Sequence, residues 1–115
     1  MRIGLAAVAM LFLSACGGGD APAQGGSIAE EAPPHPGEKT YLQACFSCHA
    51  GGVGGAPRVG DTVSWQERLD KGRDVLLAST KNGLGTMPPM GLCGSCTDAE
   101  FEAVIDYMLL ESGLE

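Results

Sequence analysis

Three groups of side chains carry chemistry by their type and spacing. The first is Cys45-Phe46-Ser47-Cys48-His49. Two thiols two residues apart near a helix end can each reach one vinyl group on a porphyrin edge. The next residue then turns its imidazole toward the iron. This spacing is the attachment signature of c-type haem, with Phe46 and Ser47 as spacers. Three other readings compete. A zinc site needs four ligands and finds three here, with His49 poorly placed beside Cys48. A thioredoxin-like pair needs a strand–helix setting. A bare disulfide leaves His49 without a task. The second group is Met87-Pro88-Pro89-Met90. An iron held by one imidazole has an open sixth position, and a thioether there favours the reduced metal. Met87 is the expected ligand, because Pro88-Pro89 stiffens the chain after it and favours extended backbone. Met90 is the runner-up, and a core gap-filler is the plainer role for Met87. The third group is Cys93-Gly94-Ser95-Cys96. No His follows it, so a second haem is disfavoured. An oxidising compartment would pair the two thiols, and a redox-active dithiol is the alternative. His35, the only other histidine, is read as solvated.

The fifth cysteine has a different setting. Met1-Arg2 is basic, Ile3 to Leu13 is an uncharged apolar run, and Leu13-Ser14-Ala15-Cys16 follows. The run is too short to span a bilayer, which takes about 20 residues, and it fits a secretory signal. The four residues resemble the lipobox of bacterial lipoproteins, whose Cys receives a diacylglyceryl group and becomes the mature N-terminus. An ordinary signal peptide cut after Ala15 is the alternative. The expected organisation is a lipoprotein signal peptide at 1–15, a lipidated N-terminus and flexible tether at 16–34, and a monohaem domain at 35–115. The tether is rich in Gly, Ala and Pro, and its r.m.s. reach would be about 23 Å. It has too little apolar surface to order itself.

Short helices must position the haem-binding residues. No stretch alternates apolar and polar residues long enough for a sheet. Pro36-Gly37-Glu38 opens a helical segment running into Cys45, and Glu38 suits the positive end of its dipole. Gly51 to Gly60 is a Gly-rich loop. A second helix is expected over about Ser64 to Lys71, capped by Asp61, Thr62 or Ser64. A third runs from Arg73 to Lys81 and stops at Asn82-Gly83. In the last, Thr97-Asp98-Ala99-Glu100 forms a capping box. Phe101, Val104, Ile105 and Met108 follow on one face, and Ser112-Gly113 ends it.

These pieces occur in the order found in a known family. Gly37 and Tyr41 precede the haem motif, and Gly55-Ala56-Pro57-Arg58-Val59-Gly60-Asp61, Trp65, Met87-Pro88-Pro89, Cys93 to Cys96 and Phe101 to Leu110 follow it. From about Gly37 to Leu110 the chain resembles a class I c-type cytochrome of the cytochrome c5 group. The resemblance implies an all-α fold, a small cytochrome c fold of about four short helices wrapped around one covalent haem c. It implies that the first and last helices cross near Gly37 and Tyr41, with Tyr107 in contact. It also implies that the Pro57 carbonyl accepts a hydrogen bond from the His49 nitrogen remote from the iron. Trp65 and Arg58 resemble residues near the haem propionates, the alternative being a core Trp and a surface Arg. The lipobox and tether depart from free cytochromes of this group.

Composition bounds the function. The chain has 115 residues, five Cys, 18 Gly and six aromatic residues, so it is one small domain that needs a staple such as disulfides, a metal or a bulky cofactor. Seven basic residues against 14 acidic ones give a formal charge of −7, which argues against nucleic acid as a partner. The expected function is one-electron transfer by Fe(II)/Fe(III) cycling in a periplasmic, lipid-anchored carrier that transforms no small-molecule substrate. Its redox partners would present basic or mixed charge. The alternatives are a haem-bearing subunit bound stably to a larger dehydrogenase or reductase, and a haem sensor or peroxidase in which Met87 leaves the iron.

Overall fold

Four helical segments organise residues 32–115, the part of the chain described by the computed structural model. The expected signal peptide at 1–15, the expected lipidation site Cys16 and the expected tether as far as residue 31 lie outside the described residues. The first helix, α1 (38–49), changes pitch along its length. It is α-helical at Glu38–Thr40, forms a π turn at Tyr41–Cys45 and is α-helical again at Phe46–His49. Such wide turns gather at functional sites, because the inserted residue re-aims the side chains that follow. Here Cys45 ends the π turn and His49 ends the helix. Nothing in the local sequence announced the change of pitch.

Helix α2 spans Thr62–Leu69. Of the three candidate caps, Asp61 caps it. Its carboxylate accepts from the Ser64 amide at 3.1 Å and the Ser64 hydroxyl at 2.7 Å. The helix therefore begins and ends earlier than the expected Ser64 to Lys71, and Gly72, at φ 105°, turns the chain into the next helix. Helix α3 spans Arg73–Asn82 and stops at Gly83. Helix α4 spans Asp98–Leu110, and both halves of the Thr97–Glu100 capping box are formed. Among the described residues there is no strand, only an isolated bridge between Leu84 and Met87. None of the described helices is long and apolar enough to cross a membrane.

The core is built on α4. Phe101, Val104, Ile105, Met108 and Leu109 are buried there, against Tyr41 of α1 and Trp65 of α2. Helices α1 and α4 meet at Gly37, where an added Cβ would run into the Ala103 carbonyl and come within 2.6 Å of Val104 Cα. The Tyr41 and Tyr107 rings touch across the same crossing, with centroids 5.2 Å apart. His35 departs from expectation. It is half-buried, its Nδ1 accepts from the Gly37 amide at 3.1 Å, and its ring lies 5.6 Å from that of Tyr107. The chain thus enters α1 pinned to α4 rather than leaving His35 in solvent. Arg73 pairs with Asp106 and ties α3 to α4. The buried Ser112 hydroxyl donates to the Met108 carbonyl at 2.7 Å and accepts from the Gly60 amide at 3.0 Å, which anchors the loop after the haem motif to the end of α4.

Candidate haem-binding site

All four helices open onto one cavity of about 470 Å³, a size typical of cofactor pockets. Cys45, Cys48 and His49 line it from α1. Pro57 lines it from the following loop, Trp65 and Arg68 from α2, Lys71 from the turn after α2, and Met87 from the loop before α4. Val75 and Leu76 of α3 and Val104, Ile105 and Met108 of α4 supply apolar wall. Cys45 and Cys48 are free thiols. Burial, and then the neighbouring Cys48, pushes the Cys45 thiol up to about 11, so it is neutral at neutral pH.

His49 is fixed at two points. Its ring nitrogen Nδ1 lies 2.8 Å from the Pro57 carbonyl, and its own carbonyl accepts from the Val59 amide at 2.8 Å. A carbonyl only accepts, so Nδ1 carries the proton and Nε2 keeps the free lone pair. That is the arrangement that orients an imidazole for a metal. His49 is 6% exposed, and its ring packs against Trp65 with centroids 5.7 Å apart.

The two methionines are placed differently. Met87 lines the cavity, and Met90 does not. Leu84 and Met87 exchange both backbone hydrogen bonds, at 3.0 and 3.1 Å, around the Gly85-Thr86 turn. The turn is tied across the cavity by the Thr86 hydroxyl, which donates to the Gly54 carbonyl at 2.7 Å. Gly54 and Thr86 are 32 residues apart, and no local pattern announces their meeting. Met90 adopts φ 64°, gives its amide to the Thr80 carbonyl at 2.9 Å and packs against the core. Cys93 and Cys96 are joined as a disulfide, and the Cys93 amide donates to the Met90 carbonyl at 3.1 Å.

Two neighbours named from the resemblance are placed differently, Trp65 in the cavity wall and Arg58 outside it. Arg58 is exposed and outside the cavity wall. The Trp65 indole N–H donates to the Arg58 carbonyl at 2.9 Å, so that donor is already engaged. Core Trp and surface Arg describe these residues. The cationic side chains of the wall are Arg68 and Lys71, which no local motif distinguishes from solvated helix-surface cations.

The donor set fits a covalently attached haem. Two unpaired thiols, one imidazole with its far nitrogen engaged, and one thioether border a single largely apolar cavity. Among the described residues no cluster of three or more His, Cys, Asp or Glu is disposed to hold a metal ion by itself, so the zinc reading lacks its fourth ligand. Comparisons with known proteins agree with the haem reading. Residues 32–108 match the family described as cytochrome c oxidase, cbb3-type, subunit III. Cytochrome c5 of Ectopseudomonas mendocina is 46% identical over 66 residues, covering 56% of this chain and 76% of that protein. Cytochrome c5 of Azotobacter vinelandii is 42% identical over 74 residues, covering 63% and 89%. A mono-haem ferrocytochrome c from Shewanella putrefaciens superposes with a TM-score of 0.59 at 45% identity, over 67% of this chain and 95% of that one. A chain in the crystal structure of an electron transfer complex of nitrite reductase with cytochrome c gives a TM-score of 0.64 at 40% identity, over 69% and 96%. With its helical fold and this cavity, the chain belongs to the c-type cytochromes of the cytochrome c5 kind, electron-transfer proteins that carry one covalently attached haem c.

Proposed function

We propose that this protein is a membrane-anchored electron carrier on the periplasmic side, with Cys45 and Cys48 as thioether attachment points and His49 and Met87 as axial ligands. The convergence of these four side chains on one cavity, with Nδ1 of His49 held by Pro57, carries the reading. Cys45 and Cys48 would hold the haem by adding their S–H groups across its two vinyl groups, the hydrogen going to the neighbouring carbon and no electron being gained or lost. When bound, the haem supplies a one-electron Fe(III)/Fe(II) couple, with electrons exchanged with partner redox proteins. His49 and Met87 would hold the iron of the bound haem from two sides, which would leave no place on it for a small substrate. Pro57 fixes the imidazole, and the Leu84–Met87 turn with its Thr86–Gly54 tie holds the thioether. Cys93–Cys96 steadies the path from that loop into α4.

Val53, Leu84 and Leu92 border the cavity and are each more than half exposed. They form an apolar contact suited to brief, small encounters, and the acidic chain favours partners of basic or mixed charge. Cys16 would carry the lipid, with the tether holding the domain near the membrane. The family's description as an oxidase subunit favours a second reading, a haem-bearing subunit bound stably to a larger complex. Co-purification from gently solubilised membranes at a fixed stoichiometry would select that reading over a free carrier.

The test of the haem site is optical. The exported protein should show a low-spin c-type spectrum with a sulfur–iron band in the ferric state. Met87→Ala should abolish that band and admit carbon monoxide to the ferrous form, while Met90→Ala should keep it. The reverse result overturns the ligand assignment.

A further inference from the structure

We propose that the outer face of α1, centred on Leu42 and Phe46, rests on the lipid surface and sets the orientation of the domain. The inference rests on the lipid anchor proposed above at Cys16. Ala44, Cys45, Cys48 and His49 of α1 line the haem cavity, and Leu42 and Phe46 do not. These two lie four residues apart, as neighbours on the helix surface, and are 58% and 51% exposed. Lys39, Leu42, Gln43 and Phe46 follow the i, i+3, i+4, i+7 spacing of one helix face, and all four are exposed. Of the other large apolar side chains more than half exposed among the described residues, Val53, Leu84 and Leu92 border the cavity and Val63 lies on α2. The outer face of α1 is therefore separate from the apolar surface around the cavity.

The entry of the chain and its charge pattern point to lipid as the occupant. The described part begins at Ala32. Two residues on, Pro34 lines an open recess together with Pro36, Lys39 and Leu42. The tether would reach about 23 Å, less than the roughly 30 Å width of a domain of this size. The face beside the root of the tether would thus meet the bilayer most readily. The whole chain has a formal charge of −7, yet the only charged residues between 32 and 57 are Glu38 and Lys39, which cancel. An anionic leaflet repels the acidic remainder and not this stretch. Lys39 has no ion-pair partner among the described residues. Its stem can lie on apolar surface while its ammonium reaches lipid phosphate.

Two apolar side chains do not hold a protein on a bilayer, but acyl chains on Cys16 would do so. The face then only has to select an orientation. Burying the exposed half of each side chain favours the docked orientation about three- to tenfold. The cavity side of α1 is left away from the lipid, with Val53, Leu84 and Leu92 open to redox partners.

The experiment uses the full-length, lipidated, haem-loaded protein in vesicles of phosphatidylethanolamine and phosphatidylglycerol. A phosphatidylcholine with a photoactivatable diazirine on its acyl chain is included, and its adducts are mapped by mass spectrometry. Adducts at Leu42 and Phe46 should exceed those at Val63 by about tenfold or more, although Val63 is the most exposed of the three at 71%. Leu42→Asp should cut the Phe46 adducts about tenfold, with the haem spectrum and the vesicle attachment unchanged. Equal labelling of Leu42, Phe46 and Val63 would mean that the domain turns freely on its tether, and the proposal fails. It fails also if the adducts gather at Val53, Leu84 and Leu92, or if Leu42 and Phe46 stay unlabelled because a second copy or another protein covers them. Wild-type protein that does not attach to the vesicles would sink the lipid anchor itself, an outcome separate from attachment with the wrong face labelled.

Discussion

The Pro57 carbonyl determines which nitrogen of His49 is available, because it engages Nδ1 and leaves Nε2. The carbonyl of the next residue, Arg58, engages the Trp65 indole in the same way. Consecutive residues of one loop therefore orient the imidazole and the aromatic ring packed against it. Trp65→Phe keeps the apolar bulk and removes the donor. It should cost about 1–2 kcal/mol, read as a lower denaturant midpoint at unchanged slope. An unchanged midpoint would mean that the bond carries no weight. At this scale the motif residues were legible because their spacing is itself the chemistry. The placing of the Arg58 side chain outside the cavity wall was not, since it depends on how the 57–61 loop folds back.

The crossing of α1 and α4 depends on the absence of one side chain at Gly37. Its φ of −82° is open to any residue, so backbone strain is not the reason for glycine there. A Cβ would meet main-chain atoms of Ala103 and Val104, which cannot turn aside as a flexible side chain can. Gly37→Ala should therefore cost about 3 kcal/mol, measured by thermal unfolding of the haem-loaded protein. The helix starts carry a pH dependence. The hydrogen bonds from the Ser64 hydroxyl and amide hold the Asp61 carboxyl below its usual range. Those from the Thr97 amide and hydroxyl do the same for Glu100. A carboxyl whose folded value is lowered contributes stability above its unfolded value and loses it as pH falls through the folded one. Unfolding midpoints should thus fall through and below the ordinary carboxylate range, and Asp61→Asn should flatten part of that decline. A slope unaltered by Asp61→Asn would remove Asp61 from the account. Both caps were readable in advance because capping is a contact between near neighbours. The π turn in α1 was not, because packing of Tyr41 against α4 competes with the local helical pitch.

On the scale of the whole molecule, the seven buried apolar side chains among the described residues all lie in α1, α2 and α4, and one cavity separates parts of those helices. A chain of this size with so small a core gains stability from whatever fills that space. The lipid reading belongs to this scale also, as it concerns where the domain works rather than how it folds. In a bacterial host, Cys16→Ser should abolish fatty-acid labelling and move the protein from the membrane to the soluble periplasmic fraction, with the haem spectrum unchanged. Persistent labelling would overturn the lipid assignment.

The haem motif, the helix caps and the apolar face of α4 could be read from the residues alone, because each is a relation between positions a few residues apart. The preference for Met87 over Met90 had only the stiffness of Pro88-Pro89 behind it. Both sit in one Pro-rich loop, and only the Leu84–Met87 turn and the tie from Thr86 to Gly54 separate a side chain on the cavity from one on the core. Arg68 and Lys71 acquired their place in the same way. As residues of a short polar helix they are indistinguishable from solvated cations, and it is the closing of four helices around a single space that turns them toward it. Short-range chemistry is written in spacing, whereas which side chains share a cavity depends on long-range packing.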